Sequence, residues 1–345
     1  MMKHAIFHIL ACAFVLTALS CDKDTPQAGE DCPLPETFTA PAFLQKGDKV
    51  AVIVPSFWMN EANVEQLCSA LEEWELVPVL GAHVGEREPY TKAGYAYYGG
   101  SAEARAEDLR WALEDKSVKA IIVATGGYGA IHLLDMVPQA SYRAAPKWLV
   151  GFDDATLLLS ASLLSGTMCL HGPMGAGIAV RRLGESEQAL RRLLFGEVPE
   201  YVLKAHSCNS PGHAEGRLVG GDIFKLRVLA GTTYDIGRMD DIILFLEGSG
   251  ASYSELNCAF NTLMRQGRMD HVKGIIFGRV SGNSANLNNY SSAEQMLSSE
   301  YTSKFGIPVC FGFEAGDGVV NNPLVFGAQV TLDVSATGAS LRFQL

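Results

Sequence analysis

The chain has 345 residues, 48% of them hydrophobic, with 38 acidic against 27 basic side chains and a net charge of −11. That acidity, with no basic cluster anywhere, excludes nucleic acid or an anionic lipid surface as an electrostatically held partner. With the amino-terminal segments set aside, roughly 300 residues remain, enough for two domains of ordinary size.

Residues 1–21 read as a targeting segment. Lys3 and His4 precede the apolar stretch Ala5 to Leu19, which is too short for a comfortable membrane span and ends in small residues. The stretch resembles a bacterial lipoprotein signal, with Ala18-Leu19-Ser20-Cys21 as a loose lipobox. The resemblance implies lipidation at Cys21 and an exported protein of the bacterial cell envelope, attached to the membrane through that anchor. An ordinary secretory signal cleaved nearby also fits. Residues 22–40 are polar and carry Pro26, Pro33 and Pro35, as a flexible tether does. Cys32, Cys68, Cys169, Cys208, Cys258 and Cys310 are scattered without metal-type spacing, so neither a metal nor another cofactor is expected.

The body opens on Val50 to Val54, a β-branched run of the kind that forms a strand buried on both faces. Glu61 to Glu73 follows as a helix with Val64, Leu67, Cys68 and Leu71 on one face. Leu76 to Leu80 is a second strand. Ser101 to Glu114 is a second helix capped by Ser101, and Lys119 to Ala124 a third strand. The turn Gly126-Gly127-Tyr128-Gly129 and a helix from Ile131 come next, then a strand at Trp148. Repeated β-α units predict a doubly wound parallel sheet for residues 41–180. Glycines at a strand's carboxyl end let backbone N–H groups approach a ligand, although a tight strand-to-helix turn explains them equally well.

Leu149-Val-Gly151-Phe-Asp153-Asp154-Ala-Thr156 is a strand, a sharp turn and the start of a helix. Such a turn presents its tip residue, here Asp153, at the carboxyl edge of the sheet, where α/β proteins bind their ligands. After Gly177 the texture changes. Val180 to Leu194 reads as a charged helix and Glu197 to His213 as a crossing linker, giving a linker over 181–212. Residues 213–345 then form a smaller, sheet-rich α/β domain, with the site in the cleft between the halves.

Eight segments in order carry a resemblance. Gly47-Asp48 with Pro55-Ser56, Arg105-Ala-Glu-Asp-Leu109, Gly126 to Gly129, Gly151 to Thr156, His171-Gly-Pro-Met174, Glu215 to Gly221, Leu244-Phe-Leu-Glu247 and Pro323 to Gly327 resemble the LD-carboxypeptidase family from Pro41 to Leu345. That family consists of serine peptidases, with microcin-immunity members, whose typical member removes the terminal D-alanine of the murein tetrapeptide. The resemblance implies a flavodoxin-like amino-terminal domain bearing a serine, and a carboxy-terminal domain bearing a glutamate and a histidine. It also implies a murein-type peptide, or a related small amino-acid conjugate, as ligand. A homodimer is compatible with it.

Position by position, the expected serine is Asp153, the glutamate is Glu247, and the histidine is Asp317 in Glu314-Ala-Gly-Asp317. Thr125 stands where an Arg usually precedes the glycine turn, and Asn257-Cys258 replaces an Asp-Arg pair. Asp153 and Asp317 supply neither a hydroxyl nucleophile nor a base titrating near neutrality. Three readings stay open. The cleft is a binding module that has lost the chemistry; or Asp153, Glu247 and Asp317, with Asp154 nearby, share protons or hold a hard cation in an unorthodox hydrolase; or a displaced serine, among Ser160, Ser162, Ser249, Ser252 and Ser254, takes over. Gly126, Gly127, Tyr128, Asp154, His171 and Asp222 are candidate ligand contacts. For His171 a structural hydrogen bond is as good an explanation, and Trp58 and Trp74 read as packing groups rather than a carbohydrate platform.

Overall fold

The computed structural model describes residues 33–90, 96–180, 184–283 and 290–345. The signal segment, Cys21, Cys32 and the tether as far as residue 32 lie outside the described residues.

The first sheet is built from β1 (Lys49–Ile53), β2 (Val77–Leu80), β5 (Val118–Val123), β6 (Trp148–Gly151) and β7 (Cys169–His171), with a small hairpin of β3 (Glu88–Pro89) and β4 (Tyr97–Tyr98) beside it. Its order, β2-β1-β5-β6-β7, is parallel throughout, which is the flavodoxin-like arrangement. The central strands are apolar on both faces because helices cover both, whereas β2, at the edge, carries Pro78 and is only half-buried. Helix α1 (Glu61–Glu73) is capped by the Asn60 side chain and buries Val64, Leu67, Ala70 and Leu71. Helix α2 (Ala102–Glu114) is capped by Ser101. The helix expected from Ile131 is a single 3-10 turn, Ala130–Leu133, followed by the short α3 (Gln139–Ala144). Pro138 enforces the break, since it cannot donate inside a continuous helix and instead starts α3.

Helix α4 (Thr156–Leu164) is buried at all nine positions. It lies between the halves of the molecule: Leu157 to Leu164 share one apolar core with Leu218, Leu226 and Phe245 of the second half. Helices α5 (Gly175–Val180) and α6 (Glu185–Leu194) follow in place of the one charged helix expected there.

The second sheet comprises β8 (Glu200–Lys204), β9 (Gly212–Asp222), β10 (Ile242–Ser252), β11 (Val272–Asn283), β12 (Val309–Cys310), β14 (Gln329–Ser335) and β15 (Gly338–Gln344), in the order β12-β11-β10-β9-β14-β15-β8. Its first four strands are parallel and the rest antiparallel. Glu200–Lys204 thus adds an edge strand within the stretch expected to be a crossing linker. Its burial alternates as an edge strand's does, with Tyr201 and Leu203 half-buried between exposed neighbours. Helices α7 (Ile223–Leu229), α8 (Tyr253–Arg265) and α9 (Ala293–Glu300) complete this half. One strand crosses over: β13 (Leu324–Phe326) pairs antiparallel with β7 at the edge of the first sheet, so the two halves are laced together beside His171.

Candidate functional site

The switch point of the first sheet lies between β1 and β5, where adjacent connections leave in opposite directions and open a crevice at the carboxyl ends. β1 runs out into Ser56 and Phe57, β5 into Thr125 and the glycine turn, and β6 into Asp153. Asp153 sits at φ 52°, a left-handed conformation that Asp tolerates better than most side chains. The strained tip therefore persists, with a carboxylate on it.

That carboxylate turns back onto the glycine turn. Gly127 donates its N–H to Asp153 Oδ2 at 2.6 Å, a short charge-assisted bond. The glycines are required by space. A Cβ on Gly126 would lie 2.3 Å from Asp153 Oδ2, and one on Gly127, at φ 102°, would lie 2.2 Å from the Phe57 ring. Burial pushes the Asp153 carboxyl above its ordinary value, against the opposing pull of the Gly127 N–H and Lys225.

Asp154 points the other way and is buried. Its Oδ2 accepts from Ser56 Oγ at 2.7 Å and from the Ala130 N–H at 2.8 Å, and its Oδ1 lies 3.2 Å from Lys225 Nζ. Lys225 also donates to the Gly127 carbonyl at 3.0 Å and stands 3.9 Å from Asp153. Burial pulls the Lys225 ammonium down, but Asp154 and Asp153 together outweigh it and raise its pKa. Sequence reasoning missed Lys225. The available signal was its place three residues after Asp222, in the first turn of a helix entering the cleft.

Asp222 caps α7, accepting from the Phe224 and Lys225 N–H groups at 2.8 and 2.9 Å, while its own N–H donates to Thr156 Oγ1 at 3.0 Å. Gly221 permits that closeness, because a Cβ there would lie 2.5 Å from Thr156 Cγ2. Burial and the neighbouring Glu247 push the Asp222 carboxyl up to about 8.

Glu247 is buried in β10 and its carboxyl is reached by the backbone N–H groups of both Asp153 and Asp317. It thereby ties the tip of the first half to a loop of the second. Burial first, then the Asp153 and Asp317 charges, push it up to about 8, so at neutral pH Glu247 and Asp222 mainly hold their protons. His171 has no solvent-facing surface. It packs against Phe152, Phe245 and Phe326, and its Nε2 lies 3.8 Å from Glu247 Oε1. Burial holds its imidazole near pKa 3, hence neutral.

Asp317 is exposed, and its side chain accepts from Ser249 Oγ at 2.6 Å. The other candidate serines are engaged elsewhere. Ser160 and Ser162 donate to backbone carbonyls within the first half, and Ser252 caps α8 with Ser254 3.0 Å from its hydroxyl. Among the described residues, no three His, Cys, Asp or Glu side chains come together in an arrangement that could hold a metal ion. The carboxyl groups are separated instead by backbone donors, Lys225 and retained protons.

The glycine turn also borders an aromatic corner that the sequence did not announce. Phe57, Tyr90, Tyr98 and Tyr128 pack together with ring centroids 5.2–6.4 Å apart. Trp58 lies outside it, covered by Arg87.

Residues 50–172 match the LD-carboxypeptidase N-terminal domain and residues 215–332 the LD-carboxypeptidase C-terminal domain. A Streptomyces coelicolor protein whose name, carboxypeptidase, is itself provisional is 32% identical over 85% of this chain and 93% of its own length. The murein tetrapeptide carboxypeptidase of Pseudomonas aeruginosa is 27% identical over 83% of this chain and 93% of its own. The crystal structure of an MccF-like protein from Bacillus anthracis superposes with a TM-score of 0.75 at 23% identity, covering 89% of this chain and all of that one, a likeness of fold. The chain belongs to the LD-carboxypeptidase family.

Proposed function

We propose that this member of the LD-carboxypeptidase family binds murein-type peptides in the cleft between its halves and does not cleave them by serine chemistry. The bond from Gly127 N–H to Asp153 carries the reading. A donor suited to a developing oxyanion is engaged by a carboxylate of the protein, and that carboxylate stands where the attacking hydroxyl would be. The base position fares no better, since Asp317 is turned to Ser249 and offers no imidazole. The peptide class follows from the relatives' names, which include murein tetrapeptide carboxypeptidase.

One observation favours a second reading, an active hydrolase. Burial and the Asp153 charge push the Glu247 carboxyl up to about 8, and a carboxyl that keeps its proton at neutral pH can serve as a general acid beside a second carboxyl group. Retention of murein tetrapeptide on immobilised protein, without and then with divalent metals, separates the two. Recovery of intact tetrapeptide supports the binding reading, and recovery of tripeptide with free D-alanine supports the hydrolase.

Export belongs to the same proposal. Residues 1–21 fit a lipoprotein signal, and labelled palmitate should enter the protein in a bacterial host and be lost in Cys21→Ser. Label retained by that variant would refute lipidation at Cys21.

A further inference from the structure

Among the described residues, β8 pairs with β15 alone, so one side of its backbone faces no other strand. A cavity of about 270 Å³ opens there, with residues 201–206 as one wall and residues 311–314 with Asn322 as the other. Side chains alternate between the two faces of a strand, so a cavity bordered by six consecutive residues runs along its edge. One end is closed. Ser210, beyond β8, and Val309 of β12 exchange backbone N–H to carbonyl bonds of 2.9 Å, and the Phe311 N–H donates to Asn209 Oδ1 at 2.8 Å. Past that closure the walls enclose the cavity without pairing, and the Tyr201 and Phe313 rings meet edge to face across it, 5.0 Å apart.

A row of alternating basic and acidic side chains leads across the exposed face of the sheet to this edge. His213 Nδ1 of β9 lies 2.7 Å from Asp333 Oδ1 of β14, and Asp333 Oδ2 lies 2.9 Å from Arg342 Nη2 of β15. Arg342 Nη1 in turn lies 4.0 Å from Glu200 Oε1 of β8. The row thus ends on an acid at the edge, where a further strand would bring a base. At the other end of β8, Lys204 stands opposite Gly338, which has no side chain to pair with it. Val202, between the two charges on the same face, is 82% exposed. A strand added antiparallel, as β15 is, sets an acid against Lys204 and a base against Glu200. Its two intervening residues turn towards Tyr201 and Phe313 and are apolar.

We propose that this edge is a docking groove for an extended segment of a partner protein, reading acidic-apolar-uncharged-apolar-basic, which joins β8 through main-chain hydrogen bonds. β8 itself reads Glu-Tyr-Val-Leu-Lys, so a second copy carries a similar pattern. That strand is already bonded to its own β15, however, and a sheet cannot follow it between the two walls. None of the cleft residues borders the groove, so the proposal is independent of what the cleft binds.

Titration calorimetry with the blocked peptide acetyl-Glu-Val-Thr-Val-Lys-amide tests it. Binding should be saturable and should weaken about three- to tenfold in Glu200→Lys, the range expected when a cross-strand charge pair turns from attractive to repulsive. Replacing the peptide's Lys by Glu should restore affinity for that variant, which also shows that the variant is folded. Two further peptides, methylated at every second amide nitrogen in one phase or the other, test the main-chain bonds. At least one of them should fail to bind. No saturable binding, affinity indifferent to Glu200→Lys, or full affinity of both methylated peptides would overturn the groove. Sedimentation velocity covers the remaining occupant: a reversible dimer that is lost in Glu200→Lys would assign the edge to a second copy and overturn the proposal.

Discussion

Asp153 Oδ2 accepts the Gly127 N–H at 2.6 Å, and the strand-to-helix turn thereby closes on itself. The turn keeps its left-handed tip, its glycines and the Glu247 carboxyl beneath it, while the group at the tip can no longer act as a hydroxyl nucleophile. If, as proposed, that one contact and the side chain at 317 are what keep the protein from serine chemistry, replacing both should introduce some of it. Asp153→Ser alone should release no D-alanine from murein tetrapeptide above background. Asp153→Ser with Asp317→His should release it measurably, since the imidazole would stand next to the Glu247 that already accepts the Asp317 N–H. A double variant as inert as the single one, though folded and peptide-binding, would show that the loss lies elsewhere.

The Gly126 position tests the same contact through stability. Gly126→Ala forces a Cβ to within 2.3 Å of Asp153 Oδ2 and 3.1 Å of Met174 Cε, and such overpacking costs about 1–3 kcal/mol. The cost in urea unfolding should shrink when Asp153→Ala is introduced first, because the nearer atom is then gone. Equal costs in both backgrounds would mean that Asp153 does not press on the turn.

Lys225 is the cation that Asp154 depends on. Lys225→Met leaves a buried carboxylate with two hydrogen bonds and without the ammonium 3.2 Å from it, Arg105 being the charge that remains, which should cost about 3 kcal/mol. Adding Asp154→Asn should restore part of that loss, a coupling that a double-mutant cycle reads directly. Strictly additive effects would argue that the pair is incidental.

Stability should also depend on pH in a direction set by the buried acids. Glu247 and Asp222 titrate near 8 in the folded protein and near about 4 when unfolded. The folded state thus holds the extra protons between those values, and the stability they contribute is lost as pH rises through about 8. His171 runs the other way, since its folded value of about 3 lies below the ordinary 6.5, so its contribution is lost only on acidification. Between pH 6.5 and 8 the urea midpoint should therefore fall, and Glu247→Gln should flatten that fall. His83, raised by its hydrogen bond to Glu86, acts in the same direction, so the difference between wild type and variant is the quantity to measure. A midpoint that rises over this window would contradict the buried-proton assignment.

Much of this was legible in the residues. The β-branched run at Val50, the Ser101 cap and the strand, turn and helix around Asp153 are local signals, and each formed close to its expected place. Ordered segments also located Glu247 and Asp317. What the sequence hid depended on distant partners. Lys225 became a site residue because Gly221 lets β9 close on Thr156, and Phe57, Tyr90, Tyr98 and Tyr128 became one corner because three separate connections converge there. Glu200–Lys204 looked like a linker because an edge strand with exposed Val202 carries little hydrophobic pattern.

The most direct test of the account is mass spectrometry of murein tetrapeptide incubated with purified protein, alongside a binding isotherm for the same peptide. Saturable binding with no release of D-alanine is the predicted result. Release proportional to protein concentration and abolished by Asp153→Ala would contradict it and would require a carboxylate to carry the reaction.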